Sequence, residues 1–317
     1  MKAFNYERYG GPEALRLADL EKPAPSADHV LVRVRAISVN PADWHLMRGK
    51  PLFSRATLGL VRPKHQILGG DIAGQVEAVG SGVTRFKPGD EVYANLLDHG
   101  NGGFAEYVSV PPGVAAVKPA NLSFEEAAAV PMAAITALQG LRHHGAIRSE
   151  QKVLINGSSG GVGTFAVQIA KSFGAEVTGV TSTRNLDLVR SIGADHVVDY
   201  TTTDFVDSGP VYDLILDAIG NRSVSDLKRA LAEGGKASVT GFTSVGNLMS
   251  VSLRGGKAIA MVSAHATSGD LELLTELIEV GKMGPVIDRR YQFAEIPAAI
   301  AYLEEGHARG KVVARVA

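Results

Sequence analysis

The sequence predicts an α/β protein of two domains, one β-rich and one built on a doubly wound parallel sheet, and three observations carry the prediction. The first is a glycine turn, Asn156-Gly157-Ser158-Ser159-Gly160-Gly161-Val162-Gly163, set between the apolar run Lys152 to Ile155 and the amphipathic run Thr164 to Phe173. The second is the regular recurrence of apolar runs and helical segments downstream of it. The third is size: 317 residues, 45% hydrophobic and 21% charged, suffice to bury two ordinary cores.

Glycines at 160, 161 and 163 remove side chains where the backbone must turn sharply, approach an anion and let a helix pack on its strand. The first-turn N–H groups of that helix are then free to bind a dinucleotide pyrophosphate. A lone glycine pattern is weak, but its context here is not. Val162, Phe165, Ala166, Ile169 and Phe173 fall at helical spacing, Gly174 is a stop, and Glu176 to Val180 reads as the next buried strand. That completes one βαβ unit.

The fingerprint ordinarily places an acid about twenty residues past its last glycine, where it binds ribose hydroxyls. This chain has Thr181-Ser182-Thr183-Arg184 there. A carboxylate repels a 2′-phosphate, whereas a hydroxyl and a guanidinium bond to it, so NADPH is expected rather than NADH. Ser182 also suits the cap of a helix beginning near Arg184, with Arg184 a solvated charge.

Further apolar runs at His196 to Val198, Leu214 to Ala218 and Lys236 to Thr240, with helical segments Leu186 to Ile192 and Ser223 to Ala232 between them, extend the parallel sheet; Ala258 to Val262 reads as a sixth strand. Asp217-Ala218-Ile219-Gly220 and Thr240-Gly241-Phe242 lie at the carboxyl ends of two strands, where ligands bind in such sheets. The N-terminal portion differs. Short β-like pieces, His29 to Ile37, Asp71 to Val79 and Glu91 to Ala94, are separated by Gly, Pro and Asp turns, and the helical run Ile296 to Glu305 and short strand Gly310 to Val313 are expected to return to that domain.

A formal net charge of −1 offers no long-range attraction to nucleic acid or to an anionic membrane. The absence of cysteine excludes disulfides, a thiol nucleophile, thiolate zinc and iron–sulfur clusters. The first residues lack a signal-peptide apolar region, and Ala127 to Leu138 is too short to span a bilayer, so a cytoplasmic protein is expected.

Asn40-Pro41-Ala42-Asp43, the Gly69 to Gly80 segment, Gly89-Asp90-Glu91-Val92, Gly160-Gly161-Val162-Gly163, Gly193-Ala194-Asp195 followed by Tyr200, and Gly310-Lys311-Val312-Val313 occur in this order along the chain. In them the chain resembles a zinc-independent medium-chain dehydrogenase/reductase of the quinone oxidoreductase branch over essentially its whole length. The resemblance implies a GroES-like catalytic domain from residues 1–125 and 266–317 around a Rossmann NADP(H)-binding domain at 126–265. It also implies NADPH-dependent reduction of quinones or other α,β-unsaturated carbonyl compounds in a homodimer, whose sixth strands pair across a twofold axis. Where zinc-dependent relatives carry a Cys ligand this chain has Asn40, and where they carry a His-Glu pair it has Gly70-Asp71. His45, His65 and His99 lack ligand spacing, so no metal site is expected.

By the same resemblance, Asn40 and Asp43 lie beside the nicotinamide, Thr136 near its ribose and phosphate, and Lys311 close to the cofactor. Gly157 to Gly163 hold the pyrophosphate, and Ser182, Arg184 and Tyr200 surround the 2′-phosphate. Read on their own, Asn40 and Asp43 equally suit a turn, and Lys311 an exposed strand-edge charge. Trp44, His45 and Met47 follow the Asn40 turn, and Tyr93, Asn95 and Leu96 end a strand, which makes them candidates for the substrate wall. Trp44 and Tyr93 are expected either to sandwich a planar acceptor or to be core aromatics; His45 and Tyr93 are the candidate proton donors. Arg48, Lys50, Arg55, Arg62 and Lys64, with no acid between Asp43 and Asp71, form either a solvated loop or a flap attracting an anionic ligand. Two other readings stand: an alkenal or enoyl-thioester double-bond reductase, and a non-enzymatic NADPH-binding sensor or scaffold.

Overall fold

Apolar β-branched runs separated by amphipathic helices have a single economical solution, a parallel sheet covered on both faces. The computed structural model describes residues 1–208 and 211–316 and contains that sheet. Its six strands are arranged in the spatial order His196–Asp199, Glu176–Thr181, Lys152–Asn156, Tyr212–Asp217, Leu231–Val239, Ile259–Met261, and all pair in parallel. The order reverses between Lys152–Asn156 and Tyr212–Asp217, the point at which open α/β sheets leave a crevice for a ligand. Leu154, Val180, Ile215, Leu227, Ala237 and Ile259 are among the buried side chains of its core.

The chain divides into two compact units, 1–132 with 266–279 and 287–317, and 133–265 with 280–286. The expected division fell at 125/126 and assigned everything after 265 to the first domain. Residues 280–286 go with the parallel sheet because the Gln168 side chain holds both the N–H and the carbonyl of Gly284, each at 2.9 Å.

The first unit contains a largely antiparallel sheet running Ile287–Gln292, Lys311–Arg315, Val30–Val39, Asp71–Val79, Glu91–Asn95, Ala115–Val117, with Tyr107–Val110 also paired to Val30–Val39. The C-terminal strand thus joins the N-terminal ones. Its register places Val312 opposite Val39, Ser38 opposite Asp71, and Asp71 opposite Asn95.

Three elements differ from expectation. Asn40 begins an eight-residue helix, Pro41–Arg48, rather than a bare turn. The helix expected to reach Ala232 stops at Ala230, and Leu231 already pairs with Tyr212. A helix at Val245–Arg254 lies in a stretch whose serines and glycines concealed it; the Ser244 hydroxyl caps it through the Asn247 N–H. Among the described residues, no helix is long and apolar enough to cross a membrane.

Candidate active site

In the second unit the glycine loop leaves the buried strand Lys152–Asn156 through Gly157, whose φ of 82° is the left-handed region that favours glycine. A Cβ on Gly163 would overlap the Gly157 carbonyl oxygen, so the helix Gly161–Ser172 approaches the loop as only glycine permits. Gly160 caps that helix in extended conformation with no side-chain hydrogen bond, which leaves its N-terminus to a ligand. Val162 is half-buried in the first turn of this helix, between Gly161 and Gly163.

Ser158 behaves differently from the rest of its loop. It is fully buried, and its N–H and hydroxyl both donate to the Val180 carbonyl, at 3.0 and 2.9 Å. Its polar groups brace the turn against the neighbouring strand and are not available to a phosphate. Ser159, which sequence reasoning passed over, accepts from Thr181 Oγ1 at 2.8 Å and Asn185 Nδ2 at 3.1 Å.

Ser182 and exposed Arg184 follow the end of Glu176–Thr181, and exposed Tyr200 follows the end of His196–Asp199. The Tyr200 N–H donates to the Thr181 carbonyl at 3.0 Å, which joins the two strand ends. The acid nearest in the chain, Asp199, accepts from Thr183 Oγ1 at 2.5 Å and from the Thr201 N–H and hydroxyl at 2.9 and 2.7 Å, and these bonds hold its carboxyl below the usual range.

Across the sheet reversal, Asp217 accepts from Asn156 Nδ2 at 2.7 Å and from the Gly220 and Ile219 N–H groups at 2.9 and 3.1 Å. Burial nonetheless raises its pKa. A Cβ on Gly220 would overlap the Gly241 carbonyl, and one on Gly241 the Ala218 carbonyl, so Ala218, Ile219, Thr240, Gly241 and Phe242 share one rim. Buried Asn185 Oδ1 and Thr240 Oγ1, both past strand ends, have no hydrogen-bond partner. Glycine cradle, open helix N-terminus and orphaned polar atoms together fit a dinucleotide. Thr136, on the helix Pro131–Gln139, is half-buried.

In the first unit a polar cluster interrupts an apolar core. Asp71 is fully buried; its Oδ1 accepts from Asn95 Nδ2 at 2.7 Å and the Met132 N–H at 2.9 Å, and its Oδ2 from Asn40 Nδ2 at 2.9 Å. Lys311, 3% exposed, donates from Nζ to Asn40 Oδ1 and stands 3.5 Å from Asp71. Burial pushes the Asp71 carboxyl up and the Lys311 ammonium down, and each opposes the other's shift. Asn40 is therefore clamped at both ends of its amide by a buried ion pair. Lys311 is not the exposed strand-edge charge that was one reading of it.

Asp43 sits beside this cluster as a helix cap. Its carboxylate accepts from the Asn40 N–H at 2.7 Å and the Gly69 N–H at 3.2 Å, and burial, with the charge of Asp71 adding to it, raises its pKa to about 7. Both oxygens are thus held by backbone. Asp71 was missed as a site residue; the available signal was a carboxylate at the head of the strand Asp71–Val79. Asn95, expected with Tyr93 and Leu96 at a strand end facing the substrate, instead donates its amide to Asp71.

The substrate-wall candidates separate. Tyr93 is fully buried and its hydroxyl donates to the Leu271 carbonyl at 2.7 Å and lies 2.9 Å from Thr275 Oγ1, while burial raises its pKa further. It is a core aromatic, which corrects its expected roles as acceptor platform and proton donor. Met47 and Leu96 are likewise fully buried core side chains, out of reach of a substrate. Trp44 and His45 remain half-buried and stack on each other, centroids 3.7 Å apart at 25°. Burial lowers the His45 pKa, which favours the neutral imidazole.

Among the described residues no group of three or more His, Asp or Glu is placed to hold a metal ion. A family model described as alcohol dehydrogenase GroES-like domain matches residues 26–120, and one described as zinc-binding dehydrogenase matches 192–313. The chain is 37% identical to the chloroplastic NADPH-dependent alkenal/one oxidoreductase of Arabidopsis thaliana over 99% of its own length and 79% of that protein's. It is 34% identical to a chloroplastic quinone oxidoreductase of Triphysaria versicolor, over 99% and 98%. The quinone oxidoreductase structure from Coxiella burnetii superposes with a TM-score of 0.89 at 30% identity, covering 100% of this chain and 99% of the other. With such identities along nearly its whole length, the chain belongs to the quinone oxidoreductase-like branch of the medium-chain dehydrogenase/reductase family, the branch that works without zinc.

Proposed function

We propose that this protein is an NADPH-dependent reductase of quinones and other α,β-unsaturated carbonyl compounds. The observation that carries the reading is the strand-end arrangement beside the glycine loop: Ser182, Arg184 and Tyr200 just past two strand ends, with Asp199 tied down by two threonines. An acid free to bind a ribose 2′-hydroxyl is missing from the end of Glu176–Thr181, and a guanidinium stands in its place.

In this reading Gly157 and Gly160 to Gly163 cradle the pyrophosphate, with Asn185, Thr136 and the rim from Ala218 to Phe242 around the remainder. Bound there, the reduced nicotinamide supplies hydride. Asn40 presents a polar group held rigidly by Asp71 and Lys311, and the Trp44–His45 stack offers an apolar face to a planar acceptor. A conjugated acceptor takes its proton from water after reduction, so His45, whose protonation burial disfavours, and the engaged Tyr93 are not required as acids.

Loss of NADPH absorbance against quinones, alkenals, enoyl thioesters and simple ketones, with NADH and a chelator as comparisons, tests the proposal. Chelator-resistant turnover of conjugated acceptors that favours NADPH is expected. Turnover of simple ketones alone would refute the substrate class, and tight NADPH binding without turnover would leave a sensor or scaffold.

The same reading includes a homodimer. Ile259–Met261 is an edge strand, and Val245, Met249 and Leu253 recur on one face of the helix Val245–Arg254, all exposed. Pairing two copies edge to edge would cover both features. A monomer mass by light scattering at micromolar concentration would remove this part.

A further inference from the structure

Residues 50–64 carry an exposed apolar surface that neither core uses. Leu52 is 69% exposed, Phe53 62%, Leu60 73% and Val61 83%. Single exposed leucines are ordinary, but four large apolar side chains on two neighbouring turns are not. The segment is also braced. Tyr9 Oη donates to the Gly59 carbonyl at 2.6 Å, and Arg55 lies over the Tyr9 ring at 4.3 Å while donating to the Gly49 and Arg48 carbonyls, both at 3.1 Å. The Lys64 N–H closes the second turn on the Leu58 carbonyl at 2.8 Å. The apolar tips are therefore held outward by a built scaffold.

Charge completes the pattern. Arg48 is engaged by Glu304 and Arg55 by Tyr9, yet Lys50, Arg62 and Lys64 are exposed beside the apolar tips, and no acid occurs between Asp43 and Asp71. Apolar tips that enter an acyl boundary, rimmed by cations that stay at headgroup level, are complementary to one surface, an anionic lipid bilayer.

We propose that residues 50–64 dock this protein peripherally on anionic lipid bilayers. The net charge of −1 does not oppose this, because charges beyond a Debye length of about 8 Å are screened and the local cluster alone faces the lipid. Each cation near such a surface strengthens partitioning about fivefold.

Flotation of the full chain with vesicles of phosphatidylcholine alone, and of equal parts phosphatidylcholine and phosphatidylserine, is the test. Binding to the anionic vesicles only, weakening as salt rises, is expected. The triple variant Lys50→Gln, Arg62→Gln, Lys64→Gln should lose about a hundredfold in partitioning, and Phe53→Ser with Leu60→Ser should abolish flotation while circular dichroism is unchanged. No flotation of the unmodified chain, or equal flotation of the variants, overturns the proposal. So does a loss of self-association in the variants without any vesicle binding, which would assign the surface to a second copy of the chain. Flotation needs no turnover, so its failure leaves the reductase reading untouched.

Discussion

Replacing Asp71 with Asn removes the carboxylate 3.5 Å from the buried Lys311 ammonium while keeping the side chain's size. Unit charges 3.5 Å apart at an effective dielectric of about 20 attract by about 5 kcal/mol. Much of that offsets the desolvation of both groups, so the pair adds little net stability over an apolar isostere. Removing one partner is another matter, because the other stays buried without compensation, and about 3–5 kcal/mol is lost. Asp71→Asn also sets an amide nitrogen against a donor whichever way it turns, Asn95 Nδ2 and the Met132 N–H on one side or Asn40 Nδ2 on the other. Lys311→Met leaves the carboxylate uncompensated and should cost a similar amount. The double variant should lose far less than the two together, with a coupling of about 2–3 kcal/mol. The assay is urea unfolding followed by Trp44 fluorescence, since the chain's one tryptophan lies in the same unit as the pair. Single variants each within about 1 kcal/mol of the parent, or additive losses in the double variant, would refute the reasoning.

Three further outcomes are expected. Arg184→Ala should raise KM for NADPH about tenfold or more, the worth of a charge-assisted hydrogen bond, and leave KM for NADH nearly unchanged; equal effects on both cofactors would remove Arg184 from the 2′-phosphate. Tyr93→Phe should lower stability by about 1 kcal/mol through the bond to Leu271 and leave kcat unchanged across acceptors; a fall in kcat would restore Tyr93 as a donor. Asp43 has its pKa raised to about 7 in the fold, so the native state holds the proton more tightly than the unfolded chain. The stability this group contributes is complete below its unfolded pKa of about 4 and is lost as pH rises through about 7. Asp43→Asn should flatten stability against pH between those values, and an unchanged slope in chemical denaturation would count against the assignment.

How far the site could be read in advance depended on how local its determinants are. The glycine loop was legible because strand, turn and helix follow one another within residues 152–173, and Gly157 and Gly163 answer backbone demands that only glycine meets. The capping box of Asn40 and Asp43, with Pro41 at the first helical position, was equally local and pointed to the helix Pro41–Arg48, but Asn-Pro was read as a turn. The Asn40–Asp71–Asn95–Lys311 cluster was not legible, since strand register assembles it from residues as far as 271 apart in the chain. Tyr93 shows the same limit in reverse. A strand-end tyrosine looks available until the helix Ser268–Glu279, from the far end of the chain, closes over it through Leu271 and Thr275. Ser158 misled for another reason, because a loop serine serves a phosphate or its own turn equally well, and only the position of the Val180 carbonyl decides.

The buried ion pair also explains why the last strand belongs where it is. Asp71 sits between Ser38 and Asn95 in a sheet whose buried side chains are mostly apolar, and an ionised carboxylate there needs a counter-charge. Asn40 and Asn95 donate hydrogen bonds but carry no charge, and a buried cation, Lys311, arrives with Lys311–Arg315, the strand beside Val30–Val39. A register slip of one residue in that strand would carry Lys311 to the other face and leave Asp71 uncompensated, which penalises misregistered pairing more strongly than the neighbouring valines do. The pair therefore selects the register at which the C-terminal strand closes the sheet, and the same register holds the Asn40 amide fixed between Asp71 and Lys311.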